Sequence, residues 1–337
     1  MTPERILQVG MGFWPARTLQ TAAKLGLFSV LGSGGMTAAQ LADAIGLAPR
    51  AVPDLPDALV ALGFLERLGE GASAVYSNSP EAATFLDKAS PAYMGGFLEM
   101  AHDRLYPFWV DLDEALKTGK PQSEAKHGEK SLFETVYPYP EKLEQFLGAM
   151  SGISTGNFMA LAEKFDFSPY TTLCDAGGAE GMLAMAVARA NPHMRCISAD
   201  LPEVAPIARR KIAQAGLADR VEAVSVDFLK QDLPKADVIT MGMILHDWDL
   251  PTKKVLIAKA YAALPENGAF IVVEQLIDDA RRENVFGLMM SLNMLVETGD
   301  GFDYTGADFT DWCKEAGFAR CETLHLAGPS SAAIAYK

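Results

Sequence analysis

The 337-residue chain is short of cysteine, of cations and of long apolar runs, and each shortage narrows what it can do. Its four cysteines (Cys174, Cys196, Cys313, Cys321) show no CxxC or paired spacing, which argues against a disulfide framework or a zinc site and predicts buried thiols in a reducing compartment. Lysine and arginine total 29 against 43 aspartates and glutamates, a formal net charge of -14. Such a balance repels phosphate backbones and anionic lipid heads, so neither nucleic acid nor a membrane is an expected partner. The longest apolar runs, such as Val238 to Leu245, stop well short of the roughly 18 residues a membrane span needs. The N-terminus shows no basic-then-apolar leader, and the expected location is cytoplasmic. What is present suits a folded enzyme: 49% hydrophobic and 21% charged residues exclude a disordered or fibrous chain. The length exceeds one comfortable core and predicts two domains.

Two regions follow different patterns. Residues 1–95 read as three helices and a hairpin: Arg17 to Leu27, a Thr37-capped helix through Ala44 closed by Gly46, Pro53 to Leu62, then strands at Phe64 to Arg67 and Ala74 to Ser77 around Gly69 and Gly71. That order is a winged-helix pattern. Its would-be recognition helix, Arg50 to Leu62, sets one arginine against Asp54 and Asp57 and contains no lysine, so burial of apolar faces against a second copy is favoured over reading a DNA groove. Residues 96–337 form the second domain. Within it, 96–167 is helical, with a polar loop at Gly119, Pro121 and Gly128 and a long periodic segment from Glu141 to Phe165. Tyr106 and Trp109 there, with His127 and Phe133, either line a pocket or fill core. The methionine-rich face of Met289, Met290, Asn293 and Met294 poses the same alternative, and Asp247 joins the pocket candidates.

From 168 to 337 strand and helix alternate. Strands are expected at Thr172 to Cys174, Arg195 to Ala199, Val221 to Val226, Val238 to Met241 and Ala269 to Val273. Helices are expected at Met182 to Ala190, Val204 to Ala215, Thr252 to Leu264 and Ala307 to Ala316. Short apolar strands between amphipathic helices imply an α/β Rossmann-like parallel sheet covered on both faces. The last two strands, Arg320 to His325 and Ala332 to Tyr336, are too close for a crossover helix and must pair antiparallel.

The first strand of this sheet runs through Asp175 into Ala176-Gly177-Gly178-Ala179-Glu180-Gly181. Glycines there let backbone pass close under a ligand at the carboxyl edge of the sheet. First, third and sixth places counted from Gly177 hold Gly177, Ala179 and Met182, so the dinucleotide fingerprint fails. Asp175, Asp200 and Asp227 follow successive strands, and carboxylates suit a ribose diol, an adenine amine and a cationic amino acid rather than phosphates. The implied ligand is a nucleoside.

The runs LCDAGGAEG, ADLPEV, VDF and above all MILHDWDL resemble the small-molecule O-methyltransferases of the caffeic acid and hydroxyindole type, over nearly the whole chain. The resemblance implies S-adenosylmethionine as methyl donor, S-adenosylhomocysteine as product, no metal, and a homodimer made through the N-terminal domain. It places the donor against Gly177, Gly181, Asp175, Asp200, Asp227 and Phe228, with Met150 and Ser154 near its methionine end and Met243 on the adenine. Two departures stand out: Ala179 and Glu180 interrupt the usual glycine triplet, and Gly242 replaces a lysine common in plant members.

His246 follows the fourth strand on the ligand edge. A hydroxyl that accepts a methyl group must shed its proton, and histidine titrates in the right range to take it. Its imidazole needs an acidic partner on a neighbouring element, and the resemblance supplies Glu274 and Asp303 as candidates. Methylation of a thioether acid such as 4-methylthio-2-hydroxybutyrate is the alternative in the same fold: it needs no base, and Arg104 offers a cation for the carboxylate. A ligand-sensing winged-helix regulator is the alternative from another class.

Overall fold

Thr37 opens a reciprocally capped helix. In the computed structural model, which describes residues 2–126 and 135–337, its hydroxyl accepts from the Gln40 amide while the Gln40 side chain accepts from the Thr37 amide. The helix covers Ala38–Ile45 and ends on Gly46 at φ 73°, the left-handed stop that a glycine adopts without strain. Other helices of this unit cover Glu4–Gly10, Phe13–Lys24, Leu27–Leu31 and Asp54–Ala61. The single helix expected over Arg17 to Leu27 is two, because Gly26 turns left-handed at φ 71° between them. Strands Met36–Thr37 (β1), Leu65–Leu68 (β2) and Val75–Asn78 (β3) pair antiparallel in the order β1-β3-β2. Leu27, Phe28, Leu41, Leu59 and Tyr76 are the buried centre. The unit comprises Met1–Pro107 and Gly148–Ile153.

The other unit, Phe108–Leu147 with Ser154–Lys337, holds a seven-stranded sheet. Strands Thr172–Ala176 (β4), Arg195–Asp200 (β5), Val221–Ser225 (β6), Val238–Gly242 (β7) and Ala269–Glu274 (β8) run parallel, and Arg320–His325 (β9) and Ser331–Tyr336 (β10) complete it in the order β6-β5-β4-β7-β8-β10-β9. β10 is antiparallel to both β8 and β9. β8 reads Ala-Phe-Ile-Val-Val-Glu with every residue buried, as a strand with helices on both faces requires. One apolar layer gathers Leu173, Val238, Ile271 and Ile334 under the Met182–Ala190 helix, and the other gathers Ile239, Phe270, Leu256 and Phe309 under the Leu250–Ala263 and Gly306–Ala316 helices. Strand order reverses at β4, whose neighbours β5 and β7 carry their connections to opposite sides. That reversal opens a crevice at the carboxyl ends of the strands. Among the described residues no helix is long and apolar enough to cross a membrane.

Candidate active site

Five residues after β4 wind from strand into helix through three left-handed positions, Gly177 (φ 77°), Ala179 (φ 47°) and Gly181 (φ 82°). A methyl group at Gly177 would fall 2.3 Å from Ile244 Cδ1, and one at Gly178 would fall 2.3 Å from Ser198 Oγ and 3.0 Å from Asp175 Oδ2. At these two glycines the loop is therefore pressed against its neighbours with no room for a side chain. Ala179 holds its left-handed turn despite its Cβ because Asp200 accepts from its amide at 2.8 Å. The other Asp200 oxygen accepts from Leu201 at 2.7 Å, and burial raises this carboxyl to about 6 against the pull of those two donors.

Asp175 lies beneath the loop rather than in the crevice: it is buried and accepts from Thr240 Oγ1 at 2.8 Å. Burial and then the charge of Asp200 raise its pKa to about 7, opposed by the Thr240 hydrogen bond. Asp227, past β6, accepts from Lys230 Nζ at 2.8 Å, which lowers its pKa. Phe228 stands edge-on to Trp248, ring centroids 6.4 Å apart, and both pack against the apolar layer that contains Ile239, Leu256 and Phe270. Met243 follows β7 at φ 58° with its amide on Val273. Gly242 has its physical reason in Phe158, whose ring atoms would stand 2.8 Å from a Cβ there. Ser154 is buried on the Pro140–Lys164 helix in the sheet-bearing unit, and Met150 on the same helix belongs to the other. Tyr137, which the sequence did not single out, shares an apolar cluster with Ala179 and Leu201, and burial, then Asp200 and Asp247, hold its hydroxyl protonated.

His246 is 3% exposed, in the turn Leu245–Asp247 after β7. Its Nδ1 faces Asp303 Oδ1 at 3.5 Å and its Nε2 faces Asp247 Oδ1 at 3.6 Å. Those separations are ion-pair distances, too long for hydrogen bonds. Glu274, ending β8, accepts from the His246 backbone amide at 3.1 Å and so anchors the turn rather than the ring. Burial favours the neutral imidazole, but Asp247, Asp303 and Glu274 outweigh it and raise the pKa. The Asp303 segment is held close by a backbone contact that only glycine permits: a methyl group at Gly301 would stand 2.6 Å from the His246 carbonyl oxygen and 2.8 Å from that of Asp247. Gly301→Ala is expected to cost about 1–3 kcal/mol of stability by overpacking and to lower kcat, checked by thermal unfolding and steady-state rates.

On the Val285–Glu297 helix, Met289 is exposed while Asn293 and Met294 are buried. Trp109 Nε1 donates to Asn293 Oδ1 at 2.8 Å, and Asn293 Nδ2 donates to Glu297 Oε1 at 2.6 Å, so two pocket candidates are joined in one polar chain. Ser291 accepts from the Asp303 amide at 3.2 Å, linking this helix to the His246 partner. Tyr106 instead lies under Arg17, guanidinium 4.4 Å from its ring centre. His127 and Phe133 lie outside the described residues.

A wound sheet with a tight glycine loop, acidic strand ends and a buried imidazole on the same edge defines a nucleoside-binding group-transfer enzyme. Comparison with known proteins makes the class specific. Residues 109–319 match the O-methyltransferase domain and residues 7–88 the O-methyltransferase dimerisation domain. The tetracenomycin polyketide synthesis 8-O-methyl transferase of Streptomyces glaucescens is 39% identical over 99% of this chain and 97% of its own. The 3-hydroxy-5-methyl-1-naphthoate 3-O-methyltransferase of Streptomyces sahachiroi is 32% identical over 98% of this chain and 93% of its own. The structure of human N-acetylserotonin methyltransferase in complex with S-adenosylmethionine superposes with a TM-score of 0.92 at 27% identity, covering 100% of this chain and 98% of that one. The chain belongs to the S-adenosylmethionine-dependent small-molecule O-methyltransferases.

Proposed function

We propose that this enzyme methylates a hydroxyl on a flat, polyketide-like or indolic phenol, with His246 as the base that takes the hydroxyl proton. The observation that carries the proposal is a buried imidazole set between the Asp303 and Asp247 carboxylates at the end of β7. The residues present fit S-adenosylmethionine: Asp200 is a buried acceptor on the crevice edge, and Gly177 and Gly178 leave the loop no bulk to exclude a ligand. Asp200, Asp227, Phe228, Met243 and Ser154 would hold it. When bound it supplies a methyl carbon on a sulfonium, and the electron pair of the broken carbon–sulfur bond stays with sulfur as the acceptor oxygen takes the methyl group. His246 receives the proton of that hydroxyl at Nε2, Asp303 keeps Nδ1 oriented, and both carboxylates stabilise the imidazolium formed. Methylation of a thioether sulfur releases no proton and leaves this buried cluster without a task.

The acceptor class is supported by the two bacterial relatives, one named for 8-O-methyl transfer in tetracenomycin polyketide synthesis and the other for 3-O-methylation of a hydroxynaphthoate. A homodimer through the N-terminal domain is supported by the dimerisation-domain match and by Ile6, Val9, Phe13 and Trp14, which stand exposed on the first two helices. A transfer screen with methyl-labelled donor across naphthols, hydroxyindoles and thioether acids tests the reading. Label on phenolic oxygen is expected; label on a thioether sulfur alone would replace the proposal with S-methylation.

A further inference from the structure

Lys253 is fully buried, 0% exposed, and among the described residues no other lysine or arginine is buried. It sits on the Leu250–Ala263 helix, one turn past the His246 turn, on the face that also carries Leu256, Ile257 and Ala260. Its Nζ donates to the carbonyl oxygen of Trp248 and lies 3.6 Å from the centre of the Phe302 ring and 5.8 Å from that of Tyr304. Trp248 follows His246 and Asp247, and Phe302 and Tyr304 flank Asp303. One ammonium group therefore ties together the two segments that face each other across the imidazole.

We infer that Lys253 is a positioning residue for the base: it clamps the 246–248 turn to the 302–304 segment and supplies the buried positive charge that offsets the carboxylates around His246. The inference rests on the reading of His246 as base. A buried ammonium ordinarily loses its proton, and burial does lower Lys253, to about 8; Glu274, Asp303, Asp247 and Asp249 oppose that loss and keep it largely charged at neutral pH. Counted around the imidazole, the acids are Asp247, Asp303 and Glu274, and His246 and Lys253 are the cations set against them. The aromatic faces suit a desolvated ammonium, because a ring face attracts a cation most where water is absent. Methionine or leucine at 253 would pack the same helix face, so packing alone does not call for a lysine.

The test is the pH profile of kcat for Lys253→Met with saturating S-adenosylmethionine and phenolic acceptor. With the buried cation gone, the carboxylates hold the His246 proton more tightly. The acid limb is expected to move up by about one pH unit. At neutral pH kcat should fall about tenfold or more while KM for both substrates stays within about twofold, since each pH unit on that limb is a factor of ten. A lysine that only packs would lower the melting temperature and leave the acid limb where it was; a folded variant with an unmoved limb overturns the inference. If Lys253→Met does not fold, Lys253→Gln decides, because it keeps a polar donor near the Trp248 carbonyl and removes the charge: an upward shift of the limb supports the inference and no shift overturns it. Failure of the underlying reading looks different: His246→Ala would then stay active, or the wild-type profile would show no acid limb.

Discussion

His246→Ala should lower kcat about 10²- to 10⁴-fold, the range a positioned general base supplies, while S-adenosylhomocysteine still binds with wild-type affinity. The imidazole sits in a turn past the strand end, whereas the glycine loop follows β4 and Asp200 ends β5, so the proposed base and the proposed binding surface are separable. The pH dependence carries the same claim with a definite sign. Only the neutral imidazole accepts a proton, and the neighbouring carboxylates raise its pKa against burial. Turnover should therefore rise with pH through a limb above the ordinary histidine value of about 6.5. Asp303→Asn should move that limb down, because one of the charges holding the proton is removed. It should also slow the enzyme by leaving Nδ1 without its orienting carboxylate. Rate profiles of the three proteins at saturating substrate check both statements. A His246→Ala enzyme with undiminished turnover of a hydroxyl acceptor would remove the histidine from the mechanism.

Asp200→Asn should weaken S-adenosylhomocysteine binding roughly 100-fold, the equivalent of two charge-assisted hydrogen bonds lost or misdirected. The carboxylate already accepts from two backbone amides, Ala179 and Leu201, one on each oxygen. An asparagine has a single acceptor oxygen, so its NH₂ group would meet one of those N–H donors head on. The glycine loop would lose its tether, and the remaining lone pairs would no longer face a ribose diol. Because burial sets the Asp200 pKa near 6, wild-type affinity should itself decline as the pH falls below about 6 and the acceptor becomes protonated. Titration calorimetry at two pH values separates the charge effect from a folding defect, provided that the variant melts normally. Near wild-type affinity in Asp200→Asn would show that the donor is held elsewhere.

Much of this architecture was legible in the order of residues, and the exceptions have physical causes. Parallel strands buried on both faces announce themselves as short apolar runs, and the Met182–Ala190 helix lies within its expected bounds. β1 was not foreseen, since two residues, Met36 and Thr37, carry no period; they are strand only because β3 pairs with them. Phe13–Lys24 begins earlier than periodicity implied because Gly12 offers no capping side chain to mark the start. In the site, glycines and acids at successive strand ends could be read from spacing. What spacing does not give is which way a carboxylate points: Asp175 turns under the loop toward Thr240, and Glu274 takes a backbone amide. Lys253 left one signal unused, a lysine three, four and seven residues before Leu256, Ile257 and Ala260 on a helix face otherwise apolar.

The most direct test of the account is calorimetric titration of the intact protein with S-adenosylhomocysteine at neutral pH. The account predicts saturable binding at one molecule per chain, lost with Asp200→Asn and kept with His246→Ala. No heat of binding from a protein that melts cooperatively would contradict it, because the glycine loop and the acids at the ends of β5 and β6 would then hold no nucleoside.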